Sequence, residues 1–277
     1  MTSSSADAQV SAAAASGSDA NFQGSTPNTL NWVRTRCCGG KSYSFFCPVC
    51  CSPLGIPPGV QVPSIQLPLD VEVILKDGRQ KSTAIHAAVL AREHVTVHGF
   101  DDQALPHFDA ATTVIAYPSE NALSWDELED VEQVRTLVLL CCPWRQPAKL
   151  LALPQLQGIR HVKIRTTPGA STFWRVPAHD HGHLSTVEAL VCLLREYEAH
   201  AQVSKGAYSK ADGSRFDDLL FFFRIIEGTI RDRLGQEGEL PWEASFREKR
   251  RAMFIQKARV GAREAGVMSY RYGRPKE

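Results

Sequence analysis

The chain has 277 residues, 43% of them hydrophobic and 22% charged, which suits one soluble domain with appendages or two small ones. Its 31 Lys and Arg nearly balance 30 Asp and Glu, which excludes a uniformly cationic nucleic-acid coat and an acidic solvating chain; no apolar run reaches the roughly 18 residues that cross a bilayer. The balance is uneven along the chain: Ala244 to Glu277 holds ten basic and three acidic residues, so this segment is +7 and the remainder, with 21 against 27, is −6.

Residues 1–32 are mostly small and polar, too poor in large apolar side chains to offset the entropy of ordering, and are expected to be a disordered tail. They lack Lys, Arg and a long apolar run, so no signal peptide is expected; the chain reads as intracellular, in cytoplasm or nucleus. Residues 33–62 form a Cys-rich module and a Pro-rich linker. Five of the eight cysteines fall between Cys37 and Cys51, and in a reducing compartment that density favours metal over disulfides. Cys38, Cys47 and Cys50, with Cys37 or Cys51 as the fourth thiolate, approach the spacing of tetrahedral Zn²⁺; buried free thiols and a redox Cys-x-x-Cys are the alternatives. The prolines from Pro53 to Pro68 forbid helix and favour extended chain lying across the main domain.

Residues 63–238 read as that main domain. Val71 to Leu75, Val95 to Gly99, Thr113 to Tyr117, Thr136 to Cys141 and His161 to Arg165 have strand character, while Thr83 to Ala91, Ser124 to Val134 and Arg145 to Leu153 have helical composition. Strands such as Leu137-Val138-Leu139-Leu140 do not alternate with polar residues, as expected when both faces of a sheet are covered, so the class is α/β with a largely parallel sheet. Further on, Ser185 and Glu188 make a capping box ahead of an apolar stripe formed by Val187, Leu190, Val191, Leu194 and Tyr197. A Phe-rich helix follows from about Asp217 to Leu234, and residues 239–277 form a basic helix or tail.

Two places carry chemistry. The strand ending at Cys141 opens onto Pro143-Trp144-Arg145-Gln146, and in open α/β sheets ligands sit at that carboxyl edge. The helix start at Ser185-Thr186 offers backbone N–H groups and two hydroxyls to a carboxylate or phosphate, although an ordinary cap would account for it equally well. His179, His181 and His183 sit in a Gly- and Asp-containing loop and are expected to be solvated rather than ligands.

Lys81-Ser-Thr-Ala-Ile-His86, the strand ending in Pro-Trp-Arg-Gln, Phe173-Trp-Arg175, His183-Leu-Ser-Thr-Val-Glu-Ala189 and Asp217-Asp-Leu-Leu-Phe-Phe222 occur in the order seen in DTW-domain proteins, and from about Cys37 to Arg233 the chain resembles that family. Within it the sequence is most similar to the eukaryotic tRNA-uridine aminocarboxypropyltransferases. The resemblance implies a SPOUT-like fold with a C-terminal knot, S-adenosylmethionine (SAM) as co-substrate, and transfer of its 3-amino-3-carboxypropyl group to N3 of a tRNA uridine. The family's Asp-x-Thr-Trp signature falls on Cys141-Cys142-Pro143-Trp144, so the expected catalytic positions are Cys141 and Trp144, with Cys141 in place of the carboxylate. Cofactor contacts are expected from Tyr117, Pro118, Leu140, Ser185, Thr186 and Glu188. RNA contacts are expected from Lys81, Ser82, His86, Arg145 and Arg175, and from Lys249, Arg250 and Arg251 of the tail. Substitutes for the missing base are Cys141 itself as a thiolate, Cys142, Glu188 or His86. A member that binds RNA or SAM without turnover, and a SAM-dependent RNA methyltransferase, are the alternatives.

Overall fold

A computed structural model describes residues 31–76, 78–100, 105–142, 147–166, 171, 173–174, 184–204 and 213–234. The expected N-terminal tail, the basic C-terminal segment, the three clustered histidines, Trp144, Arg145 and Arg175 lie outside the described residues.

Strands β1 (Thr35–Arg36) and β2 (Ser42–Tyr43) make a short antiparallel hairpin. Strands β3 (Asp70–Leu75), β4 (Val95–Gly99), β5 (Thr113–Ala116), β6 (Thr136–Cys141) and β7 (Arg160–Val162) form one parallel sheet in the order β4-β3-β6-β5-β7. Helices α1 (Ala84–Leu90), α2 (Pro147–Leu151), α3 (Thr186–Ser204) and α4 (Phe221–Leu234) cover it. No helix among the described residues is long and apolar enough to cross a membrane.

The expected α/β class with a parallel sheet is what the strands build, because side chains alternate between two buried faces. Val71, Val73, Leu75, Val114, Leu137, Leu139 and Val162 share a cluster with residues of α1, α3 and α4. Ile74, Ile115 and Val138 point the other way, into a smaller cluster with Leu150 of α2, Leu105, Leu156 and Ile159. Each such side chain taken fully out of water contributes about 1.5–3 kcal/mol.

The expected helix over Ser124 to Val134 is instead two 3₁₀ turns, Trp125–Glu127 and Val131–Gln133. Its buried apolar residues, Trp125, Leu128, Val131 and Val134, recur every three positions. That is the period of a 3₁₀ turn; at 3.6 residues per turn the same four would spread over half the circumference. The last strand runs over Arg160–Val162 rather than His161 to Arg165. The Phe-rich helix begins as a 3₁₀ stretch, Gly213–Leu220, before turning α-helical at Phe221. Helix α3 starts at Thr186 as expected, and every member of its predicted apolar stripe is buried.

The Cys-rich module is seated on the main core rather than tethered beside it. Trp32 meets Phe45 and Phe222 at 5.4 and 6.2 Å between ring centroids, and Phe46 meets Phe222 and His86 at 5.0 and 5.3 Å, all edge-on. The Pro-rich linker lies extended over the domain, with Ile65 and Leu67 buried and the Ile65 N–H donating to the Leu90 carbonyl (2.8 Å). Gly55 is required where the linker starts. Its φ is +60°, and a Cβ there would stand 1.9 Å from the Val33 carbonyl oxygen.

Candidate functional site

Parallel pairing brings the carboxyl ends of β5 and β6 side by side, and α3 begins against the end of β6. The Cys141 thiol, buried on the α1/α3 face, donates to the Thr186 hydroxyl at 3.5 Å. Ser185 acts as the cap the sequence suggested: its N–H donates to Glu188 Oε2 (2.8 Å), and its hydroxyl accepts the Glu188 N–H (3.4 Å). Glu188 Oε2 also accepts the Ser171 hydroxyl (2.7 Å), and the Ser171 hydroxyl accepts the Phe173 N–H (3.1 Å), so one carboxylate ties the Ser171–Phe173 segment to the helix start.

Two of the hydroxyl and N–H groups expected to face a ligand are thus engaged internally. A third is taken from further away. The hydroxyl of Thr83, in front of α1 and 5% exposed, accepts the Val187 N–H at 3.3 Å. Thr186 differs: its side chain is half-buried, and its N–H has no acceptor among the described residues. It is the residue at this helix start with polar groups left for a ligand.

Tyr117 and Leu140 stand at the same sheet edge but on the opposite face, against the smaller cluster. The Tyr117 ring meets His161 edge-on at 5.7 Å, and His161 Nδ1 bonds the Ser119 hydroxyl at 2.7 Å; burial pushes the His161 pKa down. Pro118 is exposed beside them. Of the expected cofactor residues, Ser185, Thr186 and Glu188 therefore gather with Cys141, while Tyr117 and Leu140 line the other side of the edge. Thr83, Ser171, Ser119 and His161 were not anticipated. Thr83 lies inside the Lys81–His86 motif, but no local pattern marks a contact spanning 104 residues.

The expected RNA contacts separate in the same way. Lys81 is exposed at the end of the Arg79–Lys81 3₁₀ turn. Ser82 is half-buried ahead of the Thr83 N-cap, its hydroxyl accepting the Ala84 N–H at 3.2 Å. His86 is 3% exposed and packs edge-on against Phe46 and Phe222.

The cysteine cluster lies apart from this edge. One sulfur each from Cys37, Cys38, Cys47 and Cys50 falls within 4.8 Å of all the others, with Cys37 Sγ 3.5 Å from Cys50 Sγ and 3.9 Å from Cys38 Sγ. Zn–S bonds of about 2.3 Å at tetrahedral angles put sulfurs about 3.8 Å apart, whereas a disulfide needs about 2.0 Å, so the donor set fits a tetrahedral soft-metal site. Cys37 is the fourth member; Cys51, whose backbone lies in the left-handed region at φ 52°, is not part of the set. The Ser52 side chain holds the Cys50 thiol down to about 6, whereas hydrogen bonding with Cys50 pushes Cys38 up to about 12. Backbone turns prepare the loops: the Cys37 N–H donates to the Lys41 carbonyl and the Cys51 N–H to the Cys47 carbonyl, both at 2.9 Å.

Comparison with known proteins follows the same outline. The chain is 27% identical to tRNA-uridine aminocarboxypropyltransferase 1 of Mus musculus, over 73% of this chain and 79% of that one. It is 25% identical to the proteins of that name from Xenopus laevis (72% and 81% covered) and Homo sapiens (72% and 78% covered). Among solved structures it is similar to the SAM-dependent rRNA:acp-transferase Tsr3 from Vulcanisaeta distributa, at 17% identity and a TM-score of 0.35, covering 62% of this chain and 91% of that one. The DTW-domain model matches residues 44–230. Since that span exceeds half of the sequence and takes in all five strands of the parallel sheet, the chain belongs to the DTW-domain family.

Proposed function

We propose that the protein transfers the 3-amino-3-carboxypropyl group of SAM to N3 of a uridine in tRNA, releasing 5′-methylthioadenosine. Family membership and the activity named for its relatives support this reading, and one observation carries it to particular residues: the Cys141 thiol against the Thr186 hydroxyl, which joins the end of β6 to the start of α3. SAM is a substrate here. Its sulfonium makes the adjacent carbons electrophilic, and the pocket selects which one reacts by presenting it to the nucleophile. The uridine N3 proton passes to a base, the N3 lone pair forms a bond to Cγ, the Cγ–S bond breaks, and its electron pair stays on sulfur as a neutral thioether.

The Thr186 N–H and hydroxyl, at the positive end of α3, suit the amino-acid carboxylate of SAM. Tyr117, Pro118 and Leu140 supply apolar surface across the edge for the adenosine, and Trp144 and Arg145 belong to the segment that leads from it. Cys141 is the acceptor of the N3 proton only as a thiolate. The reading in which the protein binds without turnover draws on that same residue, since a thiol stands where the family signature has a carboxylate. Cys37, Cys38, Cys47 and Cys50 hold one structural Zn²⁺, and the basic segment from Ala244 to Glu277 contacts the tRNA backbone.

Incubation of purified protein with SAM and unmodified tRNA, followed by nucleoside mass spectrometry, tests the proposal. Aminocarboxypropyluridine with 5′-methylthioadenosine is the expected outcome. S-adenosylhomocysteine would make it a methyltransferase, and neither product would make it a binding protein.

A further inference from the structure

The Cys-rich module has a charge pattern that metal binding alone does not require. Between Asp19 and Asp70 the sequence contains no Asp or Glu, yet it contains Arg34, Arg36 and Lys41. All three lie on or beside the β1–β2 hairpin and are exposed. Arg34 is braced across the hairpin, donating to the Ser42 carbonyl at 2.8 Å; among the described residues none of the three forms an ion pair. The Tyr43 hydroxyl lies within reach of the Gln80 side chain, one residue before Lys81 of the main domain. Arg92 of the main domain donates to the Ser52 hydroxyl of the module at 3.4 Å. Glu93, next in sequence, accepts from Gln66.

The same module is unusual in its apolar surface. Val33, Val49 and Ile56 are the exposed large hydrophobic residues among those described, and all three belong to it. Arg34, Arg36 and Lys41, with no ion pair among the described residues, in a module that also exposes apolar side chains, match a ribose-phosphate chain, whose charge is uniformly negative and whose sugars and bases offer apolar faces.

We propose that the module is an RNA-binding surface in its own right, with Arg34, Arg36 and Lys41 meeting phosphates of the tRNA and Lys81 extending the track towards the main domain. This rests on the tRNA reading above and adds to it a place where the RNA is gripped. A zinc tetrathiolate would carry a charge of −2, so the competing role for these cations is to offset the sulfurs.

The test uses full-length Arg36→Gln/Lys41→Gln and Arg36→Glu/Lys41→Glu variants, an unmodified tRNA transcript, and a KCl series. Each lost phosphate contact removes about 0.7–0.9 from the slope of log affinity against log salt, so the glutamine variant is expected to flatten it by about 1.4–1.8 units. Affinity near 100 mM salt is expected to fall about 25- to 60-fold, and further in the glutamate variant, with zinc content and SAM affinity as in wild type. Unchanged tRNA affinity and slope in both variants, while the wild type binds and modifies tRNA, would overturn this inference alone. Loss of zinc from variants whose tRNA affinity is unchanged would overturn it in favour of thiolate compensation. Wild-type protein that binds no tRNA would overturn both it and the reading on which it rests.

Discussion

Thr83 shows how much a single hydroxyl holds in place. Replacing it by valine keeps the shape but leaves the buried Val187 N–H without its acceptor, which is expected to cost about 1–3 kcal/mol, while Thr83→Ser is expected to retain most of the stability; urea midpoints read the difference. Cys141→Asp places a carboxylate beside Thr186, and under the proposed function is expected to raise or create transfer activity when nucleosides are analysed by mass spectrometry. Burial at that point raises the carboxylate pKa and improves it as a base near neutral pH, while the positive end of α3 opposes the shift. A fall in transfer would mean that the thiol has its own part in the reaction. His161 sets a pH dependence. Its folded pKa lies below the ordinary 6.5, so the unfolded chain binds the proton more readily, and this contribution to stability is full above about 6.5 and declines as pH falls below it. Denaturation of His161→Gln is expected to show a shallower loss between pH 7 and 5 than wild type. At this scale the sequence was informative about residue types rather than partners. The Ser185–Glu188 box spans three positions and could be read directly, whereas Thr83 with Val187 and Ser171 with Glu188 meet only through the fold.

At the scale of elements, the Cys-rich module combines aromatic packing on the core with a short hairpin. With strands of two residues, that hairpin has almost no ladder to sustain it, and under the proposed function a metal held by the four sulfurs supplies the closure. Removing metal with a chelator, or substituting Cys47→Ser, is expected to release Trp32 and Phe46 from Phe222 and shift Trp32 fluorescence to longer wavelength. The accompanying loss of stability should exceed about 3 kcal/mol, since structural zinc in small modules is worth about 10–16 kcal/mol. Metal analysis of protein purified without chelator is expected to return one zinc per chain. The cysteine spacing made this site legible, and the strands were legible because unbroken apolar runs mark a sheet buried on both faces. The Ser124 to Val134 segment was misread because helical composition says nothing of pitch; the three-residue repeat from Trp125 to Val134 held that information. The burial of His86 was likewise not legible: histidine type suggests chemistry, while its place on the fully buried α1 also packs it among aromatic rings.

For the molecule as a whole, the expected asymmetry of a +7 tail on a −6 body makes salt the natural variable. Truncation after Glu243 is expected to weaken binding of all tRNAs alike and to flatten the salt dependence, because phosphate contacts carry little sequence information. An unchanged slope would assign the tail to localisation or to another partner. Strand order was the part of the architecture least accessible from sequence, since nothing local announces that β6 returns to lie between β3 and β5. That order has a consequence during synthesis. Strand β3 finds one neighbour, β4, soon after it is made, but its other edge pairs Val71 with Leu137 and stays open until β6 follows. Trp32 and Phe46 wait longer, because their partner Phe222 arrives after the whole sheet. At about 5–20 residues per second, Trp32 spends roughly 10–40 s without the ring it finally packs on. The nascent chain therefore carries an apolar strand edge and an unseated aromatic cluster together, an interval in which exposed apolar surface favours aggregation over folding.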